Sequence, residues 1–141
     1  MSKIIIGGHE VTAQKDYSTS EVFTGQYWID GKKIYKRTFS STATKSAGTN
    51  RDTYYLTINN FVCDTLIDGF GFYEATRSGI KRVSQIGSSA FSDDTARTPT
   101  EESIISYYPA SQSVGVYVMC FNGFFTSVDK ITFTVYYTKT E

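Results

Sequence analysis

Two strand-like segments joined by Asp30-Gly31 constrain the fold of this chain more than any other feature. Residues 22–39 read VFTGQYWIDGKKIYKRTF and are rich in aromatic and β-branched side chains. An Asp-Gly pair between such segments is a strong hairpin signal, because a type I′ turn needs a positive φ at both central residues. Glycine adopts a positive φ without steric cost, and aspartate tolerates it. We therefore predict a β-hairpin with a two-residue turn. That turn places three pairs of residues opposite one another: Ile29 and Lys32, Trp28 and Lys33, and Gln26 and Tyr35.

Apolar side chains fall on both faces of the predicted hairpin. Alternation puts Phe23, Tyr27 and Ile34 on one face, and Val22, Trp28, Tyr35 and Phe39 on the other. A strand that is apolar on both faces is buried on both faces, whereas a small two-layer domain offers it only one. We therefore interpret the hairpin as an assembly element, with Trp28, Tyr35 and Phe39 at a contact between subunits. The aromatic content of 16% also favours apolar contacts beyond the protein's own core.

Alternating apolar and polar residues mark two further strands. In residues 53–58 and 131–138 every second residue is apolar: Tyr54, Leu56 and Ile58 in the first segment, and Ile131, Phe133, Val135 and Tyr137 in the second. Such alternation is typical of a strand with one buried and one exposed face. The remaining candidate strands are residues 65–75, 80–86, 104–108 and 114–121. Within residues 65–75 we interpret Gly69 and Gly71 as a bulge or a close backbone approach.

These segments predict an all-β fold. Residues 40–52 and 87–100 are polar, and we interpret both as surface loops. Short strands at close intervals are typical of a single antiparallel β-sandwich, here jelly-roll-like with about seven or eight strands. Residues 1–16 carry little periodicity and form a predicted N-terminal arm, so the sandwich domain spans residues 17–141.

Charge and hydropathy exclude several classes of partner. The formal net charge is zero and the sequence pI is about 6.6, so no electrostatic footprint for nucleic acid is expected. No apolar run approaches the roughly 20 residues needed to cross a bilayer. The apolar run at Ile4–Ile6 is too short for a secretory signal. We expect a chain that is made in a cytoplasm and does not insert into a membrane.

The residues that catalysis or metal binding would need are sparse. The single histidine, His9, falls in the predicted arm, which disfavours Ser-His, Cys-His and histidine-metal sites. Cys63 and Cys120 have no metal-binding spacing, and we expect buried thiols, with a bridge between them left open. We therefore expect no catalytic residues, no metal and no cofactor.

Paired carboxylates are the remaining route to an enzyme, as in glycan cleavage. The adjacent candidates are Asp93-Asp94 and Glu101-Glu102. Neighbouring residues on a strand point to opposite faces, and both pairs lie in polar sequence. We interpret them as solvated loop acids.

Adjacent aromatic residues are the candidates for a ligand site. Tyr107 and Tyr108 precede Pro109, and Phe124 and Phe125 follow a turn. Aromatic faces suit the apolar faces of sugar rings, and on extended backbone one ring of each pair faces the core while the other is available. We propose these four residues as ligand-binding candidates, with core packing as the competing interpretation.

Four stretches between Tyr17 and Glu141 resemble a domain of bacteriophage virion proteins. The sequences of Tyr17–Glu21 and Tyr27–Lys36 are similar to the pattern YST-E…WIDGKPIYRK of tail-fibre and other appendage proteins. Lys33 stands where that pattern has proline, a change that leaves the turn intact. Ile58–Asp64 is similar to the family's GI-N-D segment, without its usual histidine. Phe133–Thr140 looks like the family's closing strand, YVTLEYTKT.

The resemblance implies a virion protein that is made in the bacterial host cytoplasm. It implies a homotrimeric appendage tip that attaches without cleavage to a host surface glycan. The N-terminal arm, with Ile4, Ile5 and Ile6, would contact other virion proteins. The alternative is a head-fibre, capsid-decoration or baseplate component that contacts only other virion proteins.

Overall fold

β-Strands are the only regular secondary structure in the part of the chain that the structure describes. The computed structural model describes residues 4–6, 9–11, 18–87, 89–91, 99–121 and 123–140, and it gives the backbone alone for residues 4–6, 9–11, 89–91, 99 and 100. The strands are β1 (Ile4–Ile6), β2 (His9–Val11), β3 (Val22–Tyr27), β4 (Lys33–Thr42), β5 (Thr44–Ser46), β6 (Arg51–Ile58), β7 (Thr65–Arg77), β8 (Ile80–Gln85), β9 (Ser89–Phe91), β10 (Pro99–Tyr108), β11 (Ser113–Phe121) and β12 (Ser127–Thr138).

Two five-stranded antiparallel sheets form the body of the protein. Their strand orders are β5-β6-β11-β10-β9 and β3-β4-β12-β7-β8. The last two strands return to central positions, β11 beside β6 and β12 between β4 and β7, which is Greek-key winding of the kind that jelly rolls use. The predicted antiparallel β-sandwich is confirmed, although the sheets hold more strands than the seven or eight predicted.

One hydrophobic core fills the space between the sheets. The alternation in β12 is confirmed, because Ile131, Phe133, Val135 and Tyr137 are all between 0% and 1% exposed. The facing sheet contributes Val114, Val116, Val118 and Cys120 from β11, and these four are 0% exposed. Burying each side chain of this size stabilises a fold by roughly 1.5–3 kcal/mol, so these two central strands dominate the stability of the sandwich.

The turn of the first hairpin differs from the sequence prediction. The Gly31 amide donates to the Trp28 carbonyl at 2.9 Å, and the Trp28 amide donates to the Lys32 carbonyl at 2.8 Å. Only Gly31 has a positive φ, +84°, so Ile29, Asp30 and Gly31 form a three-residue loop. The predicted type I′ turn is wrong. Asp30 instead stabilises the loop through its side chain, which accepts a hydrogen bond from the Lys32 amide at 3.0 Å.

The facing pairs predicted from that turn are wrong as well. Tyr27 lies opposite Lys33, one position away from the predicted register. The register shifts again between Phe23 and Tyr27, near Gly25 with its φ of +84°. Phe23, and not Gln26, therefore lies opposite Tyr35.

β7 contains two glycines at positions where neighbouring atoms leave little room for a side chain, and its pairing with β12 shifts register between Leu66 and Asp68. A Cβ at Gly71 would lie 2.2 Å from the Thr132 carbonyl oxygen, and a Cβ at Gly69 would lie 3.0 Å from Cδ1 of Ile105. The predicted close backbone approach is confirmed at Gly71. It brings β7 tightly against β12 in the middle of the sheet.

The predicted N-terminal arm contains a short ribbon. β1 and β2 pair antiparallel, with Ile5 opposite Glu10. Residues 12–17 lie outside the described residues, as do the side chains of Ile4–Ile6 and His9. The role of the arm as an anchor stays a prediction.

Candidate functional site

The segments that resemble the phage pattern meet at one end of the sandwich. β4 and β12 pair side by side, with Tyr35 opposite Tyr137. Glu21 accepts a hydrogen bond from the Tyr137 hydroxyl at 2.5 Å and an ion-paired hydrogen bond from Lys139. Asp64 accepts hydrogen bonds from Lys32 Nζ at 2.6 Å and from Thr140 Oγ1 at 2.9 Å. We call these six residues the end clasp: Glu21, Tyr137, Lys139, Lys32, Asp64 and Thr140.

The end clasp holds two ionised carboxylates. Burial alone would raise the pKa of Glu21, but hydrogen bonds from Lys139 and Tyr137 outweigh it and hold that pKa below its ordinary value. The hydrogen bonds from Lys32 and Thr140 lower the pKa of Asp64. Both ammonium groups of the clasp are therefore already neutralised within it. This arrangement ties the hairpin to the C-terminal strand rather than presenting a free cationic site.

The four predicted ligand residues divide between core and surface. Tyr107 packs into the core, where its hydroxyl accepts a hydrogen bond from the Cys63 amide at 3.4 Å, and Phe125 is 3% exposed. Tyr108 is 44% exposed, and Phe124 is half-buried with the Arg77 guanidinium 3.9 Å from its ring centroid. A surface ligand would therefore reach Tyr108 and the edge of Phe124, and not the other two rings.

The predicted assembly residues lie mostly inward. Phe39 is 7% exposed in the protein's own core, and Tyr35 packs against that core. Trp28 is half-buried beside the turn. The exposed apolar residues of the hairpin are different ones: Phe23 at 40%, Tyr27 at 61% and Ile29 at 92%.

An open groove lies on the outer face of the β3-β4-β12-β7-β8 sheet. We call it the aromatic groove; its volume is about 530 Å³, and it is lined by Thr38, Phe70, Gly71, Phe72, Val83, Gln85, Thr132, Phe133 and Thr134. Phe70 and Phe72 are each 41% exposed, and Val83 is 65% exposed. Alternation along β7 explains this placement. Because Tyr73 and Ala75 face the core, Phe70 and Phe72 must face outward.

Hydroxyl groups form the opposite side of the aromatic groove. Thr38 and Thr134 share a hydrogen bond of 2.7 Å between their hydroxyls, and Ser40 and Thr132 share another of 2.7 Å. Thr134 is only 4% exposed, although its alternation predicted an exposed face, because β4 and β7 flank it on both sides. The groove thus sets a row of hydroxyls beside a row of aromatic rings.

None of the described residues that line the aromatic groove carries a charged side chain. Charged residues of the same sheet face lie at its two ends. Lys36 and Asp68 flank Tyr136 at one end, and Glu74 lies opposite Lys130 at the other. Lys81 also lies on this face at the second end, opposite Thr76. Both ends therefore carry charges of mixed sign.

Three tyrosines form a patch on the outer face of the other sheet. The Tyr117 ring centroid lies 6.2 Å from those of both Tyr55 and Tyr108. Burial raises the pKa of the Tyr117 phenol, which hydrogen-bonds with Thr57 and Tyr108. We call Tyr55, Tyr108 and Tyr117 the tyrosine patch. Tyr55 joins the patch through its ring contact with Tyr117.

Glu101 is not the solvated loop acid that its sequence predicted. It lies in β10, is 1% exposed, and accepts hydrogen bonds from the Tyr73 hydroxyl and the Arg82 guanidinium. Glu102 is half-buried on the opposite face of the strand. The two carboxylates therefore do not face a common substrate. Asp93-Asp94, the other adjacent pair, lies outside the described residues.

The cysteines are free, buried thiols. Burial raises the pKa of Cys63 to about 11, and it also raises the pKa of Cys120. Such thiols are weak nucleophiles at neutral pH, because the thiolate is the reactive form. Among the described residues, no cluster of three or more histidine, cysteine, aspartate or glutamate side chains is arranged to hold a metal ion. The same part of the chain contains no helix that could span a membrane.

The fold and the groove define the class of this protein as an all-β sandwich with an uncharged aromatic groove on one outer sheet face. Comparison with protein-family models, with curated proteins and with solved structures found no match.

Proposed function

We propose that this chain is a bacteriophage virion protein that forms the tip of a tail fibre or similar appendage. In this proposal it attaches to a glycan on the host surface without cleaving it, and it needs no cofactor. The observation that carries attachment is the aromatic groove, in which exposed rings and hydroxyls stand side by side on a rigid sheet. The origin in a phage rests on the resemblance of the hairpin and the closing strand.

The end clasp supports treating the resemblance as one structural unit. Its residues come from four separate stretches of the phage-like pattern, and they hydrogen-bond to one another in the folded chain. A pattern whose members stabilise each other reflects a shared fold more than a shared ligand. The receptor site is then expected elsewhere, on a surface outside the end clasp.

We further propose that the protein is a homotrimer, with the exposed hairpin residues at the subunit contact. Phe23, Tyr27 and Ile29 lie on or beside β3, an edge strand with a free side. Exposed apolar residues at an edge strand favour association with another chain. Light scattering should give three times the 15.8 kDa chain mass. A monomer at micromolar concentration would contradict the trimer.

Cell labelling tests the attachment function. Fluorescently labelled protein should bind saturably to some strains in a panel of bacteria, and polysaccharide purified from a labelled strain should compete. Protein that labels none of the strains would contradict attachment. Release of reducing sugar from that polysaccharide would overturn the proposal that the protein is not an enzyme.

A head-fibre, capsid-decoration or baseplate component is the second candidate. The observation that favours it is the spread of exposed apolar residues beyond the groove, including Ile80 at 72% and Ile104 at 51%. Such residues suit permanent contacts with neighbouring proteins. In that case the labelled protein should bind phage particles that lack it, and should not bind cells.

A further inference from the structure

We infer that the aromatic groove is the receptor site and that its ligand is an uncharged pyranose unit of the host glycan. This inference rests on the proposed attachment function and names the surface and the ligand class. A sugar ring has one face of C–H groups and a rim of hydroxyls. Phe70 and Phe72 suit the face, and the half-buried Thr132 suits the rim.

The dimensions of the aromatic groove fit a short saccharide. Phe70 and Phe72 are two residues apart on one strand, which separates their side chains by roughly 7 Å. The groove volume of about 530 Å³ lies within the range that proteins use for small ligands. Its floor is the backbone of Gly71 and Phe133, held by the close approach of β7 to β12. The site is therefore preformed, which reduces the entropy lost on binding.

The charge distribution points to a neutral sugar. An acidic sugar would place its carboxylate among phenylalanine, valine, threonine and glutamine side chains, with no cation among the described residues that line the groove. Burying an unpaired charge is costly, so such a ligand would bind poorly. A neutral sugar loses only hydroxyl hydration, and groove hydroxyls replace part of it.

A second copy of the chain is the competing occupant. A threefold contact pairs two different surfaces, so in a trimer the groove would meet another surface of the neighbouring subunit. The oligomer mass of Phe72→Ala distinguishes that contact from a receptor site.

Glycan binding by matched variants tests the inference. The probes are arrays of neutral hexose oligosaccharides and of uronic-acid oligosaccharides. The wild type should bind neutral members, and Phe72→Ala should weaken that binding about tenfold, the size expected for one lost ring contact. Phe72→Trp, which keeps an aromatic face, should retain binding. Ile104→Ala is the control, because Ile104 is 51% exposed on the outer face of the other sheet and should leave binding within about twofold.

The outcomes separate this inference from the proposed function. If Phe72→Ala labels cells as well as the wild type does, the groove is not the receptor site, although attachment stands. Binding to uronic-acid probes alone would overturn the ligand class. If Phe72→Ala instead lowers the oligomer mass in light scattering, the groove is a subunit contact and the inference is wrong. If the wild type labels no cells, attachment fails, and loss of neutral-sugar binding in Phe72→Ala would still support the groove.

Discussion

At the scale of single residues, Glu101 shows how an ionised group is accommodated between two sheets. Its carboxylate is 1% exposed, and its two oxygens take hydrogen bonds from Tyr73 and Arg82. Arg82 points inward from β8, an edge strand, and its guanidinium lies 5.5 Å from the Phe125 ring centroid. An inward-pointing charge on an edge strand also discourages pairing with another chain. The ion pair thus links an edge of one sheet to the interior of the other.

Replacing this carboxylate should destabilise the fold. In Glu101→Gln the NH2 group of the new amide would point at either the Tyr73 hydroxyl or the Arg82 guanidinium, both of which are hydrogen-bond donors. The ion pair with Arg82 would also be lost. Since hydrogen bonds to charged groups contribute roughly 1.5–3 kcal/mol, we expect the free energy of unfolding to fall by about that amount. Urea denaturation measures the change. Glu102→Gln, one residue away on the opposite face, should stay within about 0.5 kcal/mol. Equal effects would show that the buried ion pair is not stabilising.

The partners of Glu101 explain why the sequence did not reveal it. Tyr73 is 28 residues before it and Arg82 is 19 residues before it, each on a different strand from Glu101. Next to Glu102 and after a polar stretch, the residue has every local mark of a surface acid. The burial of a charge depends on a partner that only the folded topology supplies.

At the scale of elements, the hairpins β3-β4 and β7-β8 show that a turn dipeptide in the sequence does not by itself fix the type of turn. Asp30-Gly31 was predicted to form a type I′ turn, yet only Gly31 has a positive φ. Ser78-Gly79 joins β7 to β8 with a φ of +51° and +77°, and Arg77 lies opposite Ile80. The two-residue turn with two positive φ values is therefore at Ser78-Gly79. Ser-Gly is a recognised turn dipeptide, and it was the signal that the sequence offered there.

Substitutions at Gly79 test this turn. Nothing lies within 4 Å of a Cβ built at Gly79, so Gly79→Ala adds no clash and its cost is purely conformational. We expect a loss of about 1–2 kcal/mol, because an alanine with positive φ is strained. Gly79→Asn should lose less, since asparagine tolerates that conformation. Thermal unfolding of both variants checks the order. If asparagine costs as much as alanine, backbone strain at this turn does not explain the loss.

Strands with a strong apolar alternation were predictable, and short edge strands were not. β6 and β12 carry one apolar face each, so their buried residues follow from the sequence alone. β5 and β9 are three residues long and fall in the two predicted loops. Such strands form because a neighbouring strand offers unpaired backbone groups. The polar side chains of β5 do not predict this pairing.

At the scale of the whole molecule, the aromatic groove combines strands that are far apart in the sequence. Thr38, Phe70, Val83 and Thr132 come from four strands, β4, β7, β8 and β12. Extending the two-residue period back from Tyr73 would have placed Phe70 and Phe72 outside the core, but Gly69 and Gly71 were interpreted as a bulge or a close backbone approach. The threonine row needs the pairing of β12 with β4, which no local pattern contains.

The end clasp makes stability depend on pH across the whole sandwich. Glu21 and Asp64 have pKa values below their ordinary 4.5 and 3.8, so the folded state holds fewer protons than the unfolded state in acid. Their contribution to stability is complete above the ordinary carboxyl pKa values and is lost as the pH falls through the lower, folded values. We expect the urea midpoint of the wild type to fall between pH 6 and pH 3.

The double variant Glu21→Gln with Asp64→Asn tests this dependence. It should be less stable than the wild type at pH 6, and its urea midpoint should fall less on acidification, because the two carboxylates that respond are gone. The single variant Glu102→Gln, outside the clasp, serves as the control for removing a charge. A double variant as acid-sensitive as the wild type would mean that carboxylates outside the clasp govern acid unfolding, and that hairpin and C-terminal strand are held together chiefly by the pairing of β4 with β12.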